Sequence, residues 1–263
     1  MNRYFRWYKA VFKISLNKFL VYRLDALINT FFSSLVWTLF NIFSMYLVTL
    51  RIDSAFGWTT GELILISCIY NIIIGVFSLL FGRGFNEFSE LVDKGKFDLL
   101  LLRPFDSQVY TSLHRASISS GFRTILGSIL AVVIVINYGI TVTPFGILAF
   151  IAGSILAIVL LYSLLFFMNT FVIWAPRLDN VSELLYTLRS LGRYPRETFR
   201  QLHEIFFVMV SPFVMIMSTP ARLLLGKATL YDIAELLLVT AAAFIVARLF
   251  WKFALRHYTS ASS

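Results

Sequence analysis

The sequence predicts an all-α polytopic membrane protein: six transmembrane helices, N- and C-termini cytoplasmic, an N-terminal interfacial helix and a cytoplasmic helix between the second and third spans. Three observations predict it. Hydrophobic residues make up 59% of the 263 and charged residues 14%, with a mean hydropathy of +0.80, far outside the range of soluble domains. Six apolar stretches recur, near 26–48, 62–81, 117–136, 146–172, 203–219 and 232–251, each able to cross a hydrocarbon core as a helix. The lysines and arginines then sort to one side. Of 23, only Arg51, Arg222 and Lys227 fall on the other, so by the positive-inside rule both termini and the two long loops, 82–116 and 173–202, are cytoplasmic. The outer loops, near 49–61, 137–145 and 220–231, are short. A net charge of +9 follows from this orientation, and no nucleic-acid partner is expected.

The first 25 residues do not span, because bases recur every three or four positions. Arg6, Lys9, Lys13 and Asn17 form a polar stripe against Trp7, Tyr8, Val11, Phe12 and Phe19, the pattern of a helix lying in the inner interface; a plain basic flank that fixes topology is the alternative. No clean apolar core precedes a small-residue cleavage site, so the first span is expected to direct insertion. Residues 26–263 then form the permeation domain of six helices. A single cysteine, Cys68, and three scattered histidines, His114, His203 and His257, offer neither a disulfide framework nor a metal site.

Within the spans, Asn41, Asn71 and Asn169 are polar groups in apolar surroundings, suited to lining a pathway or to interhelical hydrogen bonds. Ala149, Gly153 and Ala157 on the fourth span, and Ser120, Thr124 and Ser128 on the third, are small-residue ladders that permit close helix packing. The fifth stretch is the weakest span. It carries Glu204 near its start, and Ser211-Pro212 in its middle predicts a kink. Thr219-Pro220 predicts a bend after which the chain dips back into the membrane.

The loop 82–116 is amphipathic. Phe85, Phe88, Leu91 and Val92 share one helical face, with Asn86, Glu87, Glu90 and Asp93 opposite, and Gly95 supplies a left-handed cap. Asp98 is expected to cap a second short turn through Leu99, Leu100, Leu101 and Leu102, and Pro104 to end it by disfavouring helix at Arg103. Each leucine is worth roughly 1.5–3 kcal/mol if buried. They must therefore meet lipid, the bundle or a partner. The second inner loop repeats the style, with Val181, Leu184, Leu185 and Leu188 on one face, a stop at Gly192 and a turn at Tyr194-Pro195. Two such elements suggest a cytoplasmic docking face.

GKFDLLLLRPFD after the second span, GRYPRETF before the fifth, SPFVMIMSTPARLLLG across it and the closing FWKFALRHYTSAS together resemble the ABC-2 type permeases of bacterial ABC exporters, in the subgroup with separate permease and ATPase chains. The resemblance runs over nearly the whole chain. It implies a coupling helix that docks on the ATPase, a role falling on Phe85, Glu87, Phe88, Glu90, Leu91, Asp93, Gly95, Asp98, Leu99, Leu100, Arg103 and Pro104. It also implies a multi-pass protein of the bacterial cytoplasmic membrane, a second permease chain, identical or sister, and alternating access driven by ATP and Mg bound on the partner ATPase. No cofactor is expected in this chain itself. A phosphate-binding loop needs G-x-x-x-x-G-K-[ST], and the nearest fragment, Gly226-Lys227-Ala228-Thr229, lacks the first glycine and has Ala after the lysine. Two rival classes are a membrane-embedded lipid-modifying enzyme, with Asp93/Asp98 and His203/Glu204 as its candidate pairs, and a membrane scaffold. No charged substrate cage is visible in the sequence.

Overall fold

The computed structural model describes residues 2–21, 25–49, 54–55, 57–174, 187, 190–199 and 204–258. Helix α1 is Asn2–Val21 and α2 is Asp25–Thr49; a two-stranded hairpin, β1 Ser54–Ala55 and β2 Trp58–Thr59, turns at Gly57 with φ +83°. Helix α3, Thr60–Phe77, passes through a π turn, Ser78–Gly82, directly into α4, Arg83–Asp93. Two short helices follow, α5 Phe97–Leu101 and α6 Ser107–Leu113. The long helices α7 Gly121–Asn137, α8 Pro144–Thr170, α9 Glu204–Leu224 and α10 Leu230–Arg256 complete the chain.

Local chemistry sets these boundaries. Thr59 and Glu62 form a reciprocal capping box at the start of α3, as do Thr229 and Asp232 for α10, while Thr143 caps α8 ahead of Pro144. Among the described residues, five helical runs are long and apolar enough to cross a membrane, at Thr30–Leu47, Thr60–Asp93, Ile118–Asn137, Pro144–Ile173 and Leu230–Arg256. They match the first four and the last of the expected stretches. Helix α9 occupies the remaining one. It runs unbroken through both Pro212 and Pro220, so the expected bend at Thr219-Pro220 is replaced by continuous helix. Packing supplies the reason: Phe213 to Ala221 are buried, and Leu223 and Pro220 lie against Gly153 of α8, where a Cβ would meet Leu223 Cδ1 at 2.5 Å. The small-residue ladder on α8 therefore packs within the chain.

Helix α3 is the core of the bundle, with Leu65, Ile66, Ile69 and Ile73 fully buried among α2, α7, α8 and α9. The bundle has two chemically distinct ends. One carries α1, α4, α5, α6 and the C-terminal turn of α10. The other carries the β-hairpin, the Tyr138-Gly139 turn and the Gly226 turn, where Lys227 Nζ reaches Glu62 at 2.7 Å and Gly57 O at 3.3 Å, and Arg222 reaches Asp232 at 2.9 Å. Helix α1 lies across the first end. Trp7 stacks on Tyr110 with centroids 5.1 Å apart, Tyr4 packs edge-on to Phe105, and Ala116 N donates to Ser15 Oγ at 3.3 Å. Arg6, Lys9, Lys13 and Lys18 are exposed, and the Arg3 guanidinium lies over the Phe105 ring at 4.8 Å.

Candidate functional site

The residues singled out in 82–116 form one compact unit at the α1 end. Its first half differs from the expected separate helix. Because no residue breaks the helix after Phe77, α4 is the continuation of α3, joined through a π turn. Phe88 and Val92 are buried, Phe85 and Leu91 half-buried, and Asn86, Glu90 and Asp93 exposed, which is the amphipathic face the spacing predicts. Gly95 has φ +64° and ends the helix. Asp98 does not cap α5. Lys96 holds the cap position without a side-chain hydrogen bond, Asp98 lies in the first turn, and its carboxylate faces Tyr258 instead. Burial, with Asp98 beside it, pushes the Tyr258 phenol up to about 12.

The apolar run divides by burial. Leu100 and Leu101 pack against the core, whereas Leu99 and Leu102 are 63% and 80% exposed, beside exposed Arg103 and Pro104. The anchor is a residue the sequence did not single out. Phe97 is fully buried between Phe88 at 5.4 Å, Trp251 at 5.9 Å and Tyr258 at 5.2 Å, and Trp251 also meets Phe166 at 4.9 Å. Polar contacts tie down the rest. Glu87 accepts from Arg115 at 2.7 Å and lies 3.3 Å from His114 Nε2, Asn169 Nδ2 donates to Phe85 O at 3.2 Å, and Trp251 Nε1 donates to Ser107 Oγ at 3.0 Å. Asp106 caps α6 and is paired with Arg248 of α10. Glu90 pairs with Lys94, one turn on, at the surface. The unit is rigid at its base and apolar at its tip.

A second polar cluster lies inside the bundle. Asn71 is fully buried; its Nδ2 donates to Ser67 O at 2.8 Å and its Oδ1 accepts from Arg123 Nε at 2.7 Å. Asn41 is buried too, donating to Trp37 O at 2.6 Å and accepting from Arg193 at 2.8 Å. Both guanidiniums rest on the ring of Tyr70, Arg123 at 5.3 Å and Arg193 at 5.8 Å. Arg196 is held by Glu235 through two hydrogen bonds of 2.5 and 2.8 Å. Glu235 sits five residues past the start of α10, toward the hairpin end, and Gly192 and Pro195 are buried. Tyr194 itself is exposed, so the Tyr194-Pro195 turn is seated against the bundle through Gly192 and Pro195, and Arg193 and Arg196 are part-buried paired charges. Ser211 and Pro212 lie half-buried within α9, and residues 175–186, including Val181, Leu184 and Leu185, as well as Leu188 and His203, fall outside the described residues.

The family of ABC-2 family transporter proteins matches residues 35–262, most of the chain. The chain belongs to the ABC-2 transporter family. Among curated proteins none matches it.

As a membrane subunit of an ABC-2 transporter, the chain is a transport permease, and the packing of its polar residues takes on a definite form. Asn41, Asn71 and Asn169 each make hydrogen bonds between elements of the permease. Gly75 and Gly127 let α3 and α7 touch: a Cβ on Gly75 would overlap Thr124, and one on Gly127 would lie 3.2 Å from Asn71 Cβ and Cys68 O. Sequence reasoning missed Arg123 and Arg193 as a converging pair, because they lie on elements seventy residues apart and only the fold brings them to one ring. The available signal was Arg123 itself, a charge placed just inside an otherwise apolar span.

Proposed function

We propose that this permease crosses the bacterial cytoplasmic membrane six times with both termini in the cytoplasm, and that the α4–α5 unit docks a separate ATPase whose ATP-driven closure switches the bundle between inward and outward openings. Two permease chains, identical or sister, surround the pathway, and ATP and Mg are held by the ATPase. Export is the direction that the family resemblance implies.

One observation carries this reading. Helix α4 is continuous with the most buried helix of the bundle, and beyond its Gly95 end α5 presents Leu99 and Leu102 to the exterior while Phe97 locks their base against Phe88 of α4 and Trp251. A force applied at the tip thus passes through the Phe97–Phe88 contact into α4 and along it into the core, which is what a two-state element driven by a distant ligand requires. The two exposed leucines, ringed by Glu90, Asp93, Lys94, Lys96 and Arg103, have the composition of a small docking patch with a charged rim. Helix α1 fits the inner interface, with Trp7 and Tyr8 turned inward and Lys9, Lys13 and Lys18 exposed.

The test is co-purification with an ATPase encoded beside the permease gene. Leu99→Asp/Leu102→Asp is expected to leave the permease inserted and its stability within about 1 kcal/mol of wild type, since both side chains are already exposed, while abolishing ATPase capture. Phe97→Ala, by contrast, removes a buried anchor and destabilises the fold by about 3–5 kcal/mol. Undiminished capture by the double variant would overturn the docking assignment.

A further inference from the structure

Helix α10 measures how far the chain travels between α8 and α9. Trp174, just past the end of α8, packs against Phe250 at 5.7 Å and Phe253 at 6.3 Å, toward the α1 end. Arg196 binds Glu235, and the other ionisable groups around it, Tyr231 and Asp232, belong to the same first turns of α10. Fifteen residues of one helix separate Glu235 from Phe250, a rise of about 22 Å. Between Trp174 and Arg196 the chain has therefore climbed most of the bundle toward the hairpin end.

Two other helices give the same level. Arg193 donates to Asn41, eight residues before the end of α2, and lies over Tyr70, ten residues after the start of α3. Those positions are about 12 and 15 Å below the hairpin end of each helix. Residues 193–196 thus lie between the middle of the bundle and its hairpin end, whereas the distribution of bases alone assigns 173–202 to the cytoplasmic side.

The way this segment is held suggests what it does. Gly192 and Pro195 are buried but offer little apolar area; the directional contacts are Arg193 to Asn41 and to Ser190 O at 3.2 Å, and the two bonds of Arg196 to Glu235. Such clasps are strong when made and can part without uncovering an apolar core. They also join opposite flanks of the bundle. Helix α2 packs chiefly on α3 and α7, and α10 chiefly on α8 and α9; the segment reaches the first flank through Arg193 and the second through Arg196.

We propose that residues 190–199 are a re-entrant staple, which enters from the α1 end, sits between the middle of the membrane and its outer face, and holds α2 to α10 so that the hairpin end stays closed until Arg193 and Arg196 release it. The membrane level and the link to outward opening rest on the permease reading above; the staple itself does not.

The experiment uses the full chain carrying Cys68→Ala, in lipid nanodiscs without ATPase, and reads distances between pairs of spin labels. A label at Tyr194→Cys lies closer to one at Thr141→Cys, in the turn at the hairpin end, than to one at Lys96→Cys at the α1 end; all three positions are exposed. The reverse order overturns the re-entry. Labels at Leu47→Cys and Leu237→Cys, exposed near the hairpin ends of α2 and α10, read the closure. They give one narrow distance, which becomes longer or broader in Arg193→Gln/Arg196→Gln and stays narrow in Phe97→Ala, a variant that loosens the α1 end instead. An unchanged distance in the double arginine variant overturns the staple. On Tm, Arg196→Gln and Glu235→Gln together cost less than the sum of their separate losses, since each alone strands its partner's charge; additive losses overturn the pairing that sets the level. A permease that captures its ATPase while Tyr194→Cys lies nearer Lys96→Cys disproves this inference alone, and a stapled chain that never captures an ATPase disproves the permease reading alone.

Discussion

Asp106 shows how much one carboxylate does at the base of the proposed docking unit. Its Oδ1 accepts from the backbone amides of Gln108 at 3.1 Å and Val109 at 3.2 Å and from Arg248 at 2.9 Å, while Oδ2 takes the other Arg248 nitrogen. Burial alone would raise its pKa, but Arg248 and the two amides outweigh it and hold the carboxyl below its ordinary value of 3.8. Because the folded pKa is depressed, the stabilisation is fully present above the ordinary value and is lost as pH falls below it toward the folded one. Substitution separates the two roles. Asparagine is a good N-cap, so Asp106→Asn keeps the cap and removes the ion pair; the loss is about 1.5 kcal/mol, the lower end for charged hydrogen bonds because both partners are partly solvated. Asp106→Ala adds about 1 kcal/mol for the lost cap. Thermal melting of the two variants should rank in that order, and the fall in Tm on acidification below pH 3.8 should be shallower in both than in wild type.

At the scale of elements, two glycines two residues apart test whether α3 and α4 act as one rod seated on α6. A Cβ on Gly82 meets Ser78 Cβ at 3.4 Å, an ordinary contact, so Gly82→Ala should stabilise the helix by up to about 1 kcal/mol through propensity alone. A Cβ on Gly84 overlaps the backbone carbonyl of Ser112 and lies 2.8 Å from that of Thr111. Backbone cannot rotate away. Gly84→Ala therefore has to lift α4 off α6, at a cost of about 1–3 kcal/mol that exceeds the propensity gain. The pair should shift Tm in opposite directions, and in the reconstituted transporter Gly84→Ala should also lower ligand-stimulated ATP hydrolysis, since α5, which bears Leu99 and Leu102, is held to the displaced helix through the Phe97–Phe88 contact. Equal and positive shifts would mean that α6 gives way, and the rod would lose its seat. The contrast also explains why the leucine run misleads when read alone: spacing marks Leu99 to Leu102 as apolar, but only tertiary contacts decide that Phe97 anchors and that Leu99 and Leu102 remain outside.

For the whole molecule, what could be read from the sequence was whatever depends on length and local pattern. Apolar runs located the long helices because a span must satisfy its backbone internally, and Gly95 announced its left-handed turn because few other residues tolerate φ +64°. What could not be read depends on distant pairing. Arg193 and Arg196 count as surface bases until Asn41, Tyr70 and Glu235 are placed beside them, and Asp98 reads as a cap until Tyr258 arrives. These two arginines bear directly on orientation, because interior paired charges carry no positive-inside information. The bias nevertheless survives their removal: Lys9, Lys13, Lys18, Lys94, Lys96, Arg103, Lys252 and Arg256 are exposed at the α1 end, against Lys227 at the other. The single cysteine makes this testable. Cys68 is fully buried and silent to aqueous reagents, so a Cys68→Ala chain can carry one reporter at a time. Thr141→Cys, exposed in the turn between α7 and α8, should react with a membrane-impermeant maleimide on intact cells, and Lys96→Cys, exposed between α4 and α5, only after the membrane is opened. The reverse pattern would put the docking unit on the outer surface, away from any ATP, and would remove the physical basis for coupling through α4.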